Sequence, residues 1–520
     1  VDKLPLINHV YSNGLLVDFL NQKQELSSFH NGSNLNELNQ DFLEKKDLSP
    51  SKRKLLVDTI TNQYQNTGLT VPDNVTQLLN HSTFTITTGH QLCLFTGPQY
   101  FIHKIITIIK SSIDLNKKYP NSHFVPLFWM ASEDHDFKEI SNVKVFGKEI
   151  NVDKSFNKAV GELDSSVFQT ALAELKELLK NDDKANDLVQ LFTDSFSQGN
   201  WSDVTRYYLH RLFQNYGLVI LDANDKALKA SFKSCFSKEI KEKFIFKTVT
   251  ETNSSLKQLG YKTAINPREL NLFYLDKNSR DRIIFSEESF KIGENKFSLE
   301  TLDNLIEQQT ELFSPNVLMR PIYQEFILPN IAYVGGPSEI IYWLQLKKSF
   351  DSSGLEFPLL ILRDHFSWID SKSFDWWKSK GFDLSDFFKS YDTLVRVNAA
   401  SDNSFDFKNE KEIFNQLAEK ITNKSKSIDS SFEQSAMASL KNMEKELNKF
   451  ETKLIKAFKS KNEQSLAKIK KIQSKVFVEG ALIERSENFI SPFLNFKGNY
   501  FDKLIETSNP FDYSLKLITY

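Results

Sequence analysis

A chain of 520 residues that is 40% hydrophobic and 13% aromatic can fill two or three domains around a large core, which excludes a disordered protein. Its net charge of −2, from 65 basic and 67 acidic residues with no basic stripe among aromatics, excludes a nucleic-acid partner. Two cysteines, Cys93 and Cys235, exclude a disulfide framework or a multi-cysteine zinc site. No stretch approaches the ~20 apolar residues of a membrane helix, and the N-terminal segment lacks a secretory pattern, so the expected setting is the cytoplasm.

Residues 1–80 read as helices wrapped on a core, with Leu55, Leu56, Ile60 and Tyr64 at helical spacing. The stretch 83–110, TFTITTGHQLCLFTGPQYFIHKIITIIK, then has the grammar of one α/β unit: a β-prone run, a turn at Gly89, and a second break at Gly97-Pro98 that opens an apolar helix. Pro98 is placed as a first helical residue, and such a helix start offers free N–H groups and a positive dipole end to an anion. Any strand-to-helix turn uses the same residue types, and no G-x-G-x-x-G or phosphate-loop pattern is present.

His123 to Ala131 is an apolar run of buried-strand length that ends in Ser132-Glu133-Asp134-His135-Asp136. Three carboxylates and an imidazole at the carboxyl end of a parallel strand stand where open α/β sheets bind ligands. The competing reading is a solvated loop that starts the next helix. From about 140 to 215 the chain is expected to form a helical insertion, with Leu172, Leu175 and Leu179 on one face. Tyr216 to Ala223 is the next strand, and the Lys-rich helix 226–247 is expected to show a solvated face. Residues 260–285 carry the alternation and turn signals of a β-hairpin, with Arg268, Arg280 and Arg282 as its cations.

Ile331 to Val334 is a strand followed by Gly335-Gly336-Pro337 and a helix that spaces Glu339, Tyr342 and Gln345 by three, on one face. Phe357 to Asp364 is a fifth strand, leading into Arg363-Asp364-His365. Five apolar strands alternating with helices predict an α/β fold, a parallel doubly wound sheet over 1–390 with insertions at about 140–215 and 230–316. Over 391–480 the character is helical: Leu440, Met443, Leu447, Phe450, Leu454 and Ala457 keep a three-four spacing that breaks through 460–464 and resumes at Leu466, Ile469 and Ile472. This seam is expected to pack on the helix at 409–424, within one chain or between two. Residues 481–520 return to the core.

Several separated stretches in the right order resemble one family. They are TTGHQ with TGPQY (87–91 and 96–100), PLFWMASEDHDF (126–137), ELNLFYLD with NSR (269–276 and 278–280), GGPSEIIYWLQL (335–346) and the terminal ERSEN and PFL. Over nearly its full length the chain resembles the cysteine ligase family of bacillithiol biosynthesis, which adds cysteine to glucosaminyl-malate. The resemblance implies a Rossmann-like core with connective insertions and a coiled-coil domain that forms homodimers. The chain departs from the family pattern at His90 and Cys93, and it lacks a lysine-rich second signature of the related synthetases.

An amide-forming reaction needs an activated carboxyl, so the implied cofactors are ATP and Mg²⁺; it also needs a deprotonated amine and cations for malate. The anion-binding and substrate-binding candidates are Thr88, Gly89, His90, Gln91, Thr96, Gly97, Pro98 and Tyr100. Gly336, Pro337, Glu339, Tyr342 and Gln345 are expected as the facing wall, with Arg363 for malate or phosphate. Glu133, Asp134, His135 and Asp136 are the catalytic candidates for contacting the amine, for base work, or for Mg²⁺. Two other readings compete: a non-catalytic nucleotide-binding dimer, and a metal-dependent hydrolase built on His90, Asp134 and His135, which lacks any H-E-x-x-H motif.

Overall fold

A computed structural model describes the chain except for residues 8, 47, 401–406 and 497. Six of those fall in the expected helical segment 391–480, and that part of the expectation lies outside the described residues. The chain forms two compact units, one of Pro5–Phe366 with Glu484–Lys516 and one of Val1–Leu4, Ser367–Ile483 and Leu517–Tyr520.

The larger unit is organised by five strands: β1 (Thr83–His90), β2 (His123–Met130), β3 (Val219–Asp222), β4 (Asn330–Gly335) and β5 (Leu359–Leu362). They form one sheet in the order β5-β4-β1-β2-β3, and every neighbouring pair is parallel. This is the Rossmann-like arrangement; the strands are buried on both faces, and the central β1 carries four buried threonines, of which Thr85 and Thr87 bond Asn330 of β4. Ile86, Phe128, Ile220, Val334 and Leu360 are fully buried. Helix α1 (Tyr100–Lys118) follows β1 and buries Ile102, Ile105, Ile106 and Ile109, with the Phe101 ring 5.1 Å from Phe128. Each such side chain taken out of water contributes about 1.5–3 kcal/mol.

From β1 the chain runs to β2 on one side, while β4 lies on the other. The strand order therefore reverses at the β1–β4 border, and a crevice opens there above the carboxyl ends. Helix α3 (Pro337–Trp343) starts directly above β4.

Two segments interrupt the run of sheet strands, one between β2 and β3 and one between β3 and β4. The first holds an antiparallel pair, Asn142–Val145 with Lys148–Asn151, and helices at Gln169–Leu179, Asn186–Ser195 and Trp201–Phe213. In the second, the expected hairpin pairs Leu272–Leu275 with Arg280–Ser286 inside a five-stranded antiparallel sheet. The Lys-rich helix α2 (Lys226–Glu242) departs from the expected solvated face at one position: Lys229 is fully buried and ion-paired with Glu133. An ammonium tolerates that burial only because a carboxylate and two further oxygens, Asn224 Oδ1 at 2.7 Å and the Glu311 carbonyl at 3.0 Å, surround it.

The smaller unit begins at Ser367, so it takes in residues the sequence assigned to the core. There Trp377 is buried and stacks on Phe387 at 4.3 Å. Helices α4 (Lys408–Ile428) and α5 (Phe432–Lys461) pack together, tied by Lys411–Glu451 at 2.7 Å. The expected phase break is a real interruption: Asn462 leaves helical geometry (φ −113, ψ 22) before α6 (Glu463–Gln473), which buries Leu466, Ile469 and Ile472. Along α5 Leu440 is buried, whereas Met443 and Phe450 are 52% and 53% exposed. Among the described residues, no helix is long and apolar enough to cross a membrane.

Candidate active site

A cavity of about 570 Å³ lies above the sheet, lined from the carboxyl end of every strand: Gly89–Gln91 after β1, Ala131–His135 after β2, Ala223 and Asn224 after β3, Gly336–Glu339 after β4, and Arg363 after β5. The second insertion closes one side with Phe273, Arg280 and Arg282. Of the residues singled out in the sequence, the structure brings Gly89, His90, Gln91, Tyr100, Glu133, Asp134, His135, Gly336, Pro337, Glu339, Tyr342 and Arg363 to this one cavity.

Six do not reach it. Thr88 is buried between strands, its hydroxyl donating to the Val334 carbonyl at 2.7 Å, because side chains alternate along β1 and this one faces away from the crevice. Thr96, Gly97 and Pro98 form a tight turn beneath the site. Phe95, Thr96 and Gly97 all have positive φ, and Asn488 of the ERSEN stretch holds the Phe95 carbonyl at 2.8 Å. Gly97 has no room for a side chain, since an added Cβ would lie 2.7 Å from the Cys93 Cβ. Helix α1 begins at Tyr100, two residues after Pro98, and the Gln99 N–H donates to the Glu487 carbonyl at 2.9 Å. One donor expected for an anion is thus used by the chain itself.

Asp136 is exposed and caps the short helix Phe137–Ile140, accepting from the Glu139 N–H at 3.3 Å, as the competing loop reading supposed. Gln345 lies past the end of α3, so the three-residue spacing no longer applies. Its buried amide accepts from Ala264 and Ile265 N–H groups and donates to the Ile265 carbonyl at 2.7 Å.

The charges in the cavity are arranged in pairs. Asp134 accepts from Arg280 Nη1 at 3.1 Å and from Gln91 Nε2, and its Oδ1 takes the His135 N–H at 2.7 Å. Burial works against its charge, but the His135 bond, the Arg280 guanidinium and Gln91 together hold its carboxyl well below the usual carboxylate range. Arg280 is itself fixed by Ser314 at 3.2 Å and the Pro315 carbonyl at 3.1 Å, with its guanidinium 4.0 Å above the Phe273 ring. Its Nη1 also lies 3.2 Å from His135 Nδ1, which is itself 3.4 Å from Asp134 Oδ1.

On the opposite wall Lys104, from the second turn of α1, reaches Glu339 at 2.6 Å and the Gly89 carbonyl at 2.7 Å. Glu339 also accepts from Tyr333 at 2.7 Å and the Gly336 N–H at 2.8 Å. Burial would raise its carboxyl, and Lys104 with these donors lowers it instead. His90 has its pKa pushed down to about 3 by burial, with Lys104 adding to the effect, so it is a neutral ring packed against Tyr100 and Phe101.

Arg363 forms the floor. Its Nη2 donates to Glu484 at 2.6 Å, and Glu484 also takes His103 Nδ1 at 2.8 Å and His365 Nδ1 at 2.6 Å with no exposure of its own. Arg363 Nε has no partner and the residue lines the cavity, so a fully anchored guanidinium keeps one donor in reserve.

Sequence reasoning missed Lys104, Glu139, Arg320 and Arg485, which all line the cavity. Lys104 had a signal, a lone cation inside the apolar run FIHKIITII. Cys93 is buried, and its thiol is pushed far up by burial, so it is a packing residue. Among the described residues no three His, Cys, Asp or Glu side chains gather as a metal-binding set, and His90, Asp134 and His135 do not converge.

Comparison with known proteins gives two family matches that together span nearly the whole chain. Residues 3–364 match "Bacillithiol biosynthesis BshC, N-terminal Rossmann-like domain" and residues 366–520 match "Bacillithiol biosynthesis BshC, C-terminal coiled-coil domain". Curated relatives carry the name "Putative cysteine ligase BshC". One from Flavobacterium johnsoniae is 36% identical over 98% of both chains, and one from Cytophaga hutchinsonii is 32% identical over 100% of this chain and 99% of its own. The two-part match agrees with the Rossmann-like sheet and with the helical unit described above. The chain belongs to the bacillithiol-biosynthesis BshC family, a family of ligases.

Proposed function

We propose that this ligase joins the carboxyl group of L-cysteine to the amino group of glucosaminyl-malate, forming the amide of a bacillithiol-type thiol. The observation that carries the reading is that one cavity holds both the carboxylate of Asp134 and the guanidinium groups of Arg320, Arg363 and Arg485. A substrate that carries both an ammonium and a dicarboxylate matches such a set of charges. Asp134 is kept ionised and would hold the ammonium, while the cations would receive malate.

ATP with Mg²⁺ supplies carboxyl activation in this reading, because a free carboxylate is a poor electrophile. The unpartnered Arg363 Nε and the exposed Arg485 are the groups that would meet phosphate oxygens. Since no carboxylate cluster gathers for a metal among the described residues, Mg²⁺ would arrive held by the phosphates themselves.

The chain would work as a homodimer in the cytoplasm, with a second copy covering the apolar residues left exposed on α4 and α5: Ile413, Leu417, Met443 and Phe450. The test of the function is product formation from cysteine and glucosaminyl-malate with and without Mg-ATP. A protein that binds nucleotide but forms no amide would instead support the scaffold reading.

A further inference from the structure

Four carboxylates line the cavity, and they are not equivalent. Glu133 is paired with the buried Lys229, Asp134 with Arg280 and Gln91, and Glu339 with Lys104, Tyr333 and the Gly336 N–H. For Asp134 and Glu339 these cations and donors stabilise the ionised form, which makes each a poor proton acceptor, and Glu133 is taken up by its ion pair with Lys229. Glu139 differs, because no described side chain or backbone group bonds its carboxylate. Its backbone is nonetheless fixed. The residue sits between Phe137 and Ile140, both buried, in a short helix capped by Asp136, and the Phe137 ring packs on Phe156 at 5.0 Å. A rigid backbone carrying an unengaged carboxylate into a reaction cavity is the arrangement a general base requires.

The surroundings of Glu139 agree with that role. Asp134 and Asp136 are its negative neighbours, Glu339 on α3 adds to them, Lys104 on α1 opposes them, and Tyr100 and Cys93 face it as neutral groups. The residue is exposed, and it lines the cavity. Burial and the two aspartates raise its pKa to about 7. Two nearby carboxylates are thus driven apart in basicity, which is how one site comes to hold both an ion and a base.

We propose that Glu139 is the catalytic base of this ligase, taking a proton from the substrate ammonium, while Asp134 holds the nitrogen without accepting its proton. The inference rests on the amide-forming reading above and assigns the proton transfer within it. An N–H bond of the ammonium breaks, its electron pair stays on nitrogen, and the proton forms an O–H bond on Glu139. The free amine then attacks the activated acyl carbon, the leaving group departs with its bonding pair, and the second proton of the attacking nitrogen passes to water. Glu139 returns its proton to solvent through the open cavity.

The test compares the full-length chain with Glu139→Gln, by calorimetric binding of glucosaminyl-malate at pH 6 and pH 8 without nucleotide and by turnover with cysteine and Mg-ATP. The expected result is that wild-type binding weakens about tenfold as pH falls, binding to the variant is flat, and turnover drops by roughly 10²-fold or more. The variant should fold, because the carboxylate bonds nothing. Loss of folding, or a variant with wild-type turnover and the wild-type pH dependence of binding, would overturn the assignment. A wild-type protein that neither binds glucosaminyl-malate nor forms product would overturn the amide-forming reading, and the role of Glu139 with it.

Discussion

Arg280 and Asp134, 146 residues apart in the chain, meet at 3.1 Å inside the cavity and join the second insertion to the carboxyl end of β2. The guanidinium fork reaches Asp134, His135, Ser314 and the Pro315 carbonyl at once, a geometry no ammonium reproduces. Arg280→Met should therefore lower stability by about 2 kcal/mol, below the ~3–5 of a fully buried broken pair because Asp134 is 32% exposed. Arg280→Lys should recover only part of that loss. Urea denaturation of the three proteins checks this, and equal midpoints would contradict it.

Glu139 has a second, thermodynamic signature. Its folded-state pKa of about 7 lies above the ordinary 4.5, so between those values the folded protein binds more protons than the unfolded one. Stability contributed by the protonated acid is then present below pH 4.5 and lost as pH rises through 7. Glu139→Gln should melt with the wild type at pH 4.5 and above it at pH 8. Glu239, also raised to about 7 but buried elsewhere, titrates in both proteins and cancels in the difference. Superimposable melting curves at pH 8 would contradict the prediction.

Glu484 pairs at once with Arg363, His103 and His365. Burial opposes its charge, yet Arg363 and His365 hold its folded pKa well below the ordinary 4.5. Its contribution is thus present above pH 4.5 and lost as pH falls through the folded value. Glu484→Gln leaves a buried guanidinium without its counter-ion and should cost about 3–5 kcal/mol at pH 7. The gap between variant and wild type should narrow on acidification, as measured by denaturation midpoints across pH. A constant gap would mean that the charge of Glu484 contributes nothing.

On α5, Met443 and Phe450 are more than half exposed although they continue the seam of buried Leu440. The double change Met443→Glu and Phe450→Glu should convert a dimer to a monomer in analytical ultracentrifugation without shifting the melting of the Rossmann-like unit. A wild-type protein that sediments as a monomer would remove the dimer from the proposal.

The strands after β1 were legible because a parallel strand covered on both faces is largely apolar, and β1, TFTITTGH, was legible instead from its β-branched residues and the glycine that ends the run. The break in the coiled-coil seam was legible too, since a phase shift in apolar spacing forces a change in helix geometry, realised at Asn462. At the site, position along a strand was readable and side-chain direction was not. Thr88 and Gly89 are adjacent in sequence, yet only Gly89 faces the cavity. Gln345 looked like part of α3 until the helix ended at Trp343. Glu139 and Lys229 were missed because nothing local distinguishes a free carboxylate from a capping one, or a buried lysine from a solvated one. Their partners come from other segments of the chain.

The most direct test of the central claim is a mass-spectrometric assay of the purified protein with cysteine and glucosaminyl-malate, with and without Mg-ATP, beside Asp134→Asn. The account predicts an amide product that appears only with Mg-ATP and is lost in the variant. Product formed at the wild-type rate by a folded Asp134→Asn, or no product from the wild type under any of these conditions, would contradict it.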